Sequence, residues 1–309
     1  MAIYMDNSAT TMVCPEAVEI MTKLMTDCYG NPSSLHSMGL QAEKAVTVAR
    51  KAIAESIGKK ETNIYFTSGG TESDNTAIIG GAIRNAHGRK TVITSKIEHP
   101  AVLQSVKYLE SQGFTVKYVK VNADGVIDLN HLESLLSDDV VLVSIMHVNN
   151  ETGALMPIKE AYKLVKDFNS NIIFHSDMVQ SYLKIPFEDV DIASFSAHKV
   201  HGPKGVGALY IKEGININPI IFGGGQQKNM RPGTENVPGI AGFGEAVKAF
   251  DREKSFAKVA EIKKTLTEKI LARFDNLTIN GGERAIPYVL NMSFKGVKSE
   301  VLLHSLESS

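Results

Sequence analysis

VVLVSIM, residues 140–146, is an almost unbroken apolar run. A strand of this kind is buried on both faces, which is the mark of a parallel sheet covered by helices on each side. The segments around it agree. Upstream, NIYFTS (63–68), KTVITS (90–95) and FTVKYVKV (114–121) read as strands. Downstream, NIIFHS (171–176), DIASFS (191–196) and GALYIK (207–212) do the same. Helical patterns fall between them: TESDNTAII after Gly69-Gly70-Thr71, the turn set by Pro100 with Val102, Val106 and Leu109 on one face, LNHLESLL (129–136), and IKEAYKLVKDF (158–168). This alternation predicts an α/β fold with a mostly parallel sheet flanked by helices. A Gly/Pro-rich loop spans 214–239, a charged helix is expected over Ile240 to Phe274, and the segment from Ile286 onward reads as strand, turn and helix. Residues 13–250 are expected to form a large domain, and residues 1–12 with 251–309 a smaller α/β domain.

Composition narrows the class. The chain has 309 residues, 43% of them hydrophobic, with a formal net charge of −1. That balance disfavours a nucleic-acid surface, which usually carries a basic excess. No run approaches the roughly 18 apolar residues of a membrane helix. The start, MAIYMDNSATT, places Asp6 where a secretory signal would be apolar. Two cysteines, Cys14 and Cys28, are too few for a disulfide framework, and a reducing cytoplasm is the expected location. Both are expected to be buried, inert thiols.

In a parallel sheet, ligands sit beyond the carboxyl ends of the strands. The chemically useful residues fall at those ends. Gly70 and Thr71 offer free N–H groups at a helix start, either an anion site or an ordinary turn. Asp177 closes an apolar strand, where a carboxylate needs a cation or serves as a helix cap. His99 could stack on a flat ring or be a plain loop histidine. Asn149-Asn150 could read a polar ligand atom or make an Asx turn. Lys199 could form a Schiff base with an aldehyde cofactor or be a solvated loop lysine. Ser196 and His198 flank it and would extend a phosphate cradle with Thr71. A lysine, an acid for a ring nitrogen, a flat group and a phosphate cradle are together what pyridoxal 5'-phosphate requires.

Eight stretches carry a resemblance: DNSATT (6–11), YGNPSSLH (29–36), FTSGGTESDN (66–75), IEHPAV (97–102), MHVNNETG (146–153), HSDMVQ (175–180), SFSAHKVHGPKG (194–205) and RPGTENV (231–237). In this order they resemble the cysteine desulfurases of the NifS/IscS type, within the class V aminotransferases of type I pyridoxal-phosphate fold. The resemblance implies an internal cofactor lysine at Lys199 and a carboxylate for the ring nitrogen at Asp177. It implies a partner for the phenolic oxygen at Gln180, and a stacking, proton-moving imidazole at His99. Gly70, Thr71, Ser196 and His198 are implied at the phosphate and Asn150 near the substrate. Thr234 is implied to reach the phosphate of a neighbouring subunit, hence a homodimer. The implied reaction takes L-cysteine to L-alanine, leaving persulfide sulfur for an iron–sulfur scaffold or other sulfur acceptor.

The family's nucleophilic cysteine follows the counterpart of LLHSLES, and an arginine for the substrate carboxylate lies further on. The sequence ends at Ser309, about where that stretch begins. The expectation is therefore a C-terminally truncated member, or one whose further residues are disordered, whose last helix offers Val301, Leu302, Leu303 and Leu306 to a missing partner. The competing readings are a related class V lyase or aminotransferase, such as a selenocysteine lyase, and a cofactor-binding relative without catalysis.

Overall fold

The computed structural model describes residues 3–307. Two helices come first, α1 (Pro15–Thr26) and α2 (Ser37–Ser56). There follow β1 (Ile64–Thr67), α3 (Gly70–Asn75), a π-helical turn (Thr76–Gly80) and α4 (Gly81–Asn85). The alternating core is β2 (Thr91–Ser95), α5 (Pro100–Ser111), β3 (Thr115–Val119), α6 (Leu129–Leu135), β4 (Val140–Ser144), α7 (Ile158–Phe168), β5 (Ile173–Asp177), β6 (Ile192–Ser196) and β7 (Gly207–Ile211). The chain then forms α8 (Val237–Ala249), α9 (Arg252–Leu271), β8 (Leu277–Asn280), β9 (Asn291–Phe294) and α10 (Ser299–Glu307).

Seven strands make one sheet in the order β1-β7-β6-β5-β4-β2-β3. From β3 to β6 all neighbours are parallel, and only β7 runs against its neighbours β6 and β1. Strand β4, the run that opens the sequence reading, is buried at every position. Its side chains are shared between two cores, with a register irregularity where Val141 and Leu142 face the same one. Val143 and its partner Phe174 join the side built on α2, α7 and α8, while Leu142 and its partner Ile173 join the side built on α4 and α5. Burial on both faces explains the missing alternation in the sequence.

Helices α2 and α8 cross at close range. A Cβ on Gly244 would stand 2.6 Å from the Ala49 Cα, so only glycine permits this approach. The expected charged helix over 240–274 is two helices. Phe250 is extended, and the Asp251 carboxylate accepts from the Lys254 N–H at 3.0 Å, capping a new start. The first of the two is apolar and buried; the charge belongs to the second, none of whose residues is fully buried. The sequence reading had also passed over α1, α2 and β8.

Strands β8 and β9 form a separate antiparallel pair. Their connection docks on the turn after β4, where the Ile286 N–H donates to the Gly153 carbonyl at 2.9 Å. At the other end of the chain, residues 6–11 lie along the loop after β6, and the Thr11 N–H donates to the His198 carbonyl at 2.8 Å. The long glycine-rich loop is firmly tied down. The Gln227 carboxamide oxygen accepts from the Phe66 N–H at 2.9 Å, on the free edge of β1, and from Arg50 at 3.0 Å. Arg231 and Glu72 add an ion pair at 2.9 Å. Among the described residues no helix is long and apolar enough to cross a membrane.

Because Leu142 is fully buried in the strand at the centre of this arrangement, Leu142→Ala is expected to cost about 2–5 kcal/mol. Chemical denaturation would read this as a lower midpoint with the slope unchanged.

Candidate functional site

A cavity of about 400 Å³ opens where β4, β5 and β6 end and α3 begins. Gly70, Thr71, His99, Asn150, Asp177, Gln180, Ser196, His198 and Lys199 all line it. They come from turns far apart in sequence. Parallel strands deliver them together, because each strand ends on the same edge. Thr234 is not in this wall; it is exposed on the glycine-rich segment.

Lys199 ends a single 3₁₀ turn, Ala197–Lys199, directly after β6. The turn is closed by the Val200 and Gly202 N–H groups, both donating to the Ala197 carbonyl, at 3.0 and 2.9 Å. This aims the side chain across the cavity mouth, where its ammonium donates to the carbonyls of Ser8 at 2.5 Å and Ala9 at 2.8 Å. Partial burial lowers its pKa; Asp177 and Asp6 oppose the shift.

Asp177 is the last residue of β5 and is buried. Its carbonyl accepts from the His147 N–H at 2.9 Å, tying the end of β5 to the segment leaving β4. One carboxylate oxygen accepts from the Val179 N–H at 2.9 Å. No helix follows β5, so the helix-cap reading of Asp177 is not met; the carboxylate that faces the cavity closes a turn instead. Burial raises its pKa, while the Val179 N–H, His99 and Lys199 pull it back.

His99 caps α5, its Nδ1 accepting from the Ala101 N–H at 3.1 Å. The proton of the neutral ring then resides on Nε2. Asn149 makes the Asx turn: its oxygen accepts from the N–H groups of Glu151 at 3.0 Å and Thr152 at 2.9 Å. Asn150 is left to the cavity, donating to the Glu151 carboxylate at 2.8 Å. The Gln180 Nε2 donates to the Ser8 carbonyl at 2.9 Å.

The helix that begins at Gly70 leaves its first N–H groups without intrahelical acceptors. A Cβ on Gly70 would stand 2.7 Å from a Val179 methyl and 3.7 Å from the Ser196 Cβ. The floor at this corner is therefore open only because residue 70 has no side chain. His198 borders it, paired with the Thr10 hydroxyl at 3.2 Å, and burial drives its pKa down to about 4.

Several wall or near-wall residues escaped the sequence reading. Asp6, Ser8 and Ala9 line the cavity although they begin the chain. Asp74 lines it too; buried, with one oxygen unpartnered, its carboxyl is pushed well up by burial and then by Asp177. Glu98 lies behind His99 with both oxygens engaged, by the Ser95 hydroxyl at 2.7 Å and the Met146 N–H at 2.9 Å. Lys184 is buried four residues after Gln180. The available signals were acids and a lysine inside otherwise apolar local patterns, SDNTAI and QSYLKIPF. Cys14 and Cys28 are partly exposed, not buried as expected, and neither lines the cavity. Each sits at the end of an element, Cys14 capping α1 and Cys28 just past its close, where packing is incomplete.

Residues 3–309 match the aminotransferase class-V family, and the chain belongs to that family. It is 43% identical over 311 residues to a cysteine desulfurase of Trichormus azollae, covering 98% of this chain and 77% of that protein. It is 42% identical over 309 residues to the cysteine desulfurase IscS of Methanosarcina thermophila, covering 98% of this chain and 76% of that one. Among solved structures, one named NifS-like protein superposes with a TM-score of 0.94 at 40% identity, over 100% of this chain and 86% of its own. DndA of Streptomyces lividans gives 0.87 at 35% identity, over 99% and 88%.

Glu98 supplies a pH test of the buried wall. Unfolded, it loses its proton near pH 4.3; folded, burial raises its pKa to about 8. Between these values folding takes up a proton, so stability falls as pH rises and the loss levels off above about 8. Glu98→Gln removes that slope because an amide does not titrate, and it can keep both partners, donating to the Ser95 oxygen and accepting from the Met146 N–H. Melting curves of variant and wild type are expected to converge near pH 4 and to separate toward pH 8, the variant higher.

Proposed function

We propose that this chain is a pyridoxal-phosphate-dependent cysteine desulfurase, which takes L-cysteine to L-alanine and passes the sulfur to a protein acceptor such as an iron–sulfur scaffold. The observation that carries the reading is the meeting of Lys199 and Asp177 in one cavity, beside a helix start kept open by Gly70. The relatives named cysteine desulfurase, similar over nearly the whole chain, support the same reaction.

The wall fits the cofactor in three places. The Gly70 corner, with Thr71, Ser196 and His198, offers N–H groups and hydroxyls to a phosphate. The buried carboxylate of Asp177 suits a pyridinium N–H, because a cation is what offsets its desolvation. Gln180 and His99 would meet the phenolic oxygen and the ring face. When bound, pyridoxal phosphate supplies an aldehyde for condensation with amines and a ring that takes up electron density.

The chain's own residues then do the following. Lys199, with its lowered pKa, has more free amine than an exposed lysine and would be the covalent partner of the aldehyde. Its carbonyl partners at Ser8 and Ala9 hold the amine over the cavity. Asp177 would pair with the ring nitrogen, whose positive charge would favour the ionised carboxylate. His99, its Nδ1 occupied by the α5 cap, presents Nε2 to move a proton at the reacting atoms. Asn150 stands at the rim for the substrate. Thr234, exposed on its anchored segment, would reach the phosphate of a second copy of the chain in a homodimer. We assign residues 13–250 to the cofactor-holding domain, and 1–12 with 251–309 to a smaller one.

Purified protein given pyridoxal phosphate is expected to show a visible absorbance band that Lys199→Ala abolishes. Given L-cysteine and a reductant, it is expected to release alanine and sulfide in equal amounts. A band without alanine above the free-cofactor background would leave a cofactor-binding relative and overturn the desulfurase reading. Asp177→Asn is expected to lower turnover by roughly 100-fold or more, from loss of the charge opposite the ring nitrogen.

A further inference from the structure

Lys184 stands in an unusual place. It is 5% exposed, and no carboxylate among the described residues lies within ion-pair distance of it. Buried lysines are rarely left without an anion. Its ammonium instead donates to the Gln180 Oε1 at 3.2 Å and lies 5.7 Å from the centre of the Tyr288 ring. Tyr288 belongs to the connection between β8 and β9, so this cation bridges the C-terminal hairpin and the cavity.

The bridge continues inward. With Oε1 turned to the ammonium, the Gln180 Nε2 must face the other way, and it donates to the Ser8 carbonyl at 2.9 Å. That carbonyl is also the acceptor of the Lys199 ammonium. Flipping the carboxamide would set oxygen against the Ser8 oxygen and an NH₂ against the Lys184 ammonium. Both contacts would be repulsive, so the cation makes one orientation the only stable one.

We propose that Lys184 is a positioning residue: through its ammonium it fixes the Gln180 carboxamide with Nε2 toward Ser8 and the cavity, and the Tyr288 ring holds that ammonium in place from the C-terminal hairpin. The groups facing Lys184 are Gln180 along its own turn, Tyr288 from the hairpin, and, from the loop after β6, Lys199 and the His198 imidazole, which burial keeps neutral. Burial and then Lys199 lower its pKa to about 7, so the full charge is present on the acid side of neutrality. By reciprocity, its charge disfavours protonation of the nitrogen at position 199.

The role of Gln180 toward the cofactor rests on the reading above, so the test has one arm that does not. In cofactor-free protein at pH 6, the Gln180 side-chain amide protons are expected to be protected from exchange. Lys184→Met is expected to cut that protection at least fivefold and Tyr288→Leu to cut it in part, while Tyr288→Phe keeps it because the ring remains. Unchanged protection in Lys184→Met overturns the proposal whatever the cofactor does. In the second arm, Lys184→Met is expected to weaken pyridoxal phosphate binding about tenfold, as for loss of a hydrogen bond to a charged group. The pH midpoint of the visible band is expected to move upward. Adding Lys184→Met to Gln180→Leu is expected to weaken binding no further, because the cation acts through the amide. Multiplied effects would overturn the proposal. A wild type with no Lys199-dependent band would instead overturn the cofactor reading and leave the exchange arm to decide the role of Lys184.

Discussion

A carboxylate at the end of a doubly buried strand sets the terms for the rest of the molecule. Asp177 has lost most of its water, and one backbone N–H cannot replace it. The compensating groups arrive from elsewhere. Lys199 comes from the turn after β6, and His99 from the cap of α5. Both can arrive because β2, β5 and β6 are parallel members of one sheet and end on one edge. The sheet is thus a device for bringing separate loops to one carboxylate.

Holding that charge has a cost in the layer behind it. Asp74, Glu98 and His175 are all buried near Asp177. Each is pushed by burial toward its neutral form: the two acids upward, and His175 down to about 3. His175 then spans the hydroxyls of Ser144 at 2.9 Å and Ser194 at 3.0 Å as a neutral ring. Burial raises the Asp177 pKa as well, and Asp6 also acts on Lys199, so this layer holds largely neutral groups at the expense of stability that an apolar layer would have provided.

The ends of the described chain converge on this centre from opposite sides. Residues 6–11 supply the carbonyls that receive Lys199 and Gln180. The β8–β9 connection supplies a ring over Lys184 and a backbone contact to the turn that carries Asn150. Glu72, in the first turn of α3, pairs with Arg231, so the exposed segment bearing Thr234 is tied to the helix start at Gly70. Each loop that touches the cavity is therefore held by another element.

Local pattern alone was enough for the alternating elements from β1 to β7, because strands buried on both faces must be continuously apolar and the helices between them must be amphipathic. Lys199, Asp177, His99 and Gly70 were also visible, not singly, since each had an ordinary structural reading, but through their joint placement at the ends of successive strands. The break at Phe250–Asp251 was not, because both sides favour helix and only packing of the apolar first part separates it from the charged second. The places of Asp6, Ser8, Asp74, Glu98 and Lys184 were decided in three dimensions. Their company is drawn from distant segments, 191 residues apart for Ser8 and Lys199, and no local rule states which buried charge will face which. Sequence by itself determined the periodicity of the sheet and the residue types at its edge. Tertiary structure decided how polar groups such as Lys199 and Gln180 are oriented, because a hydrogen bond needs two partners placed within about 3 Å, and their Ser8 partner lies far along the chain.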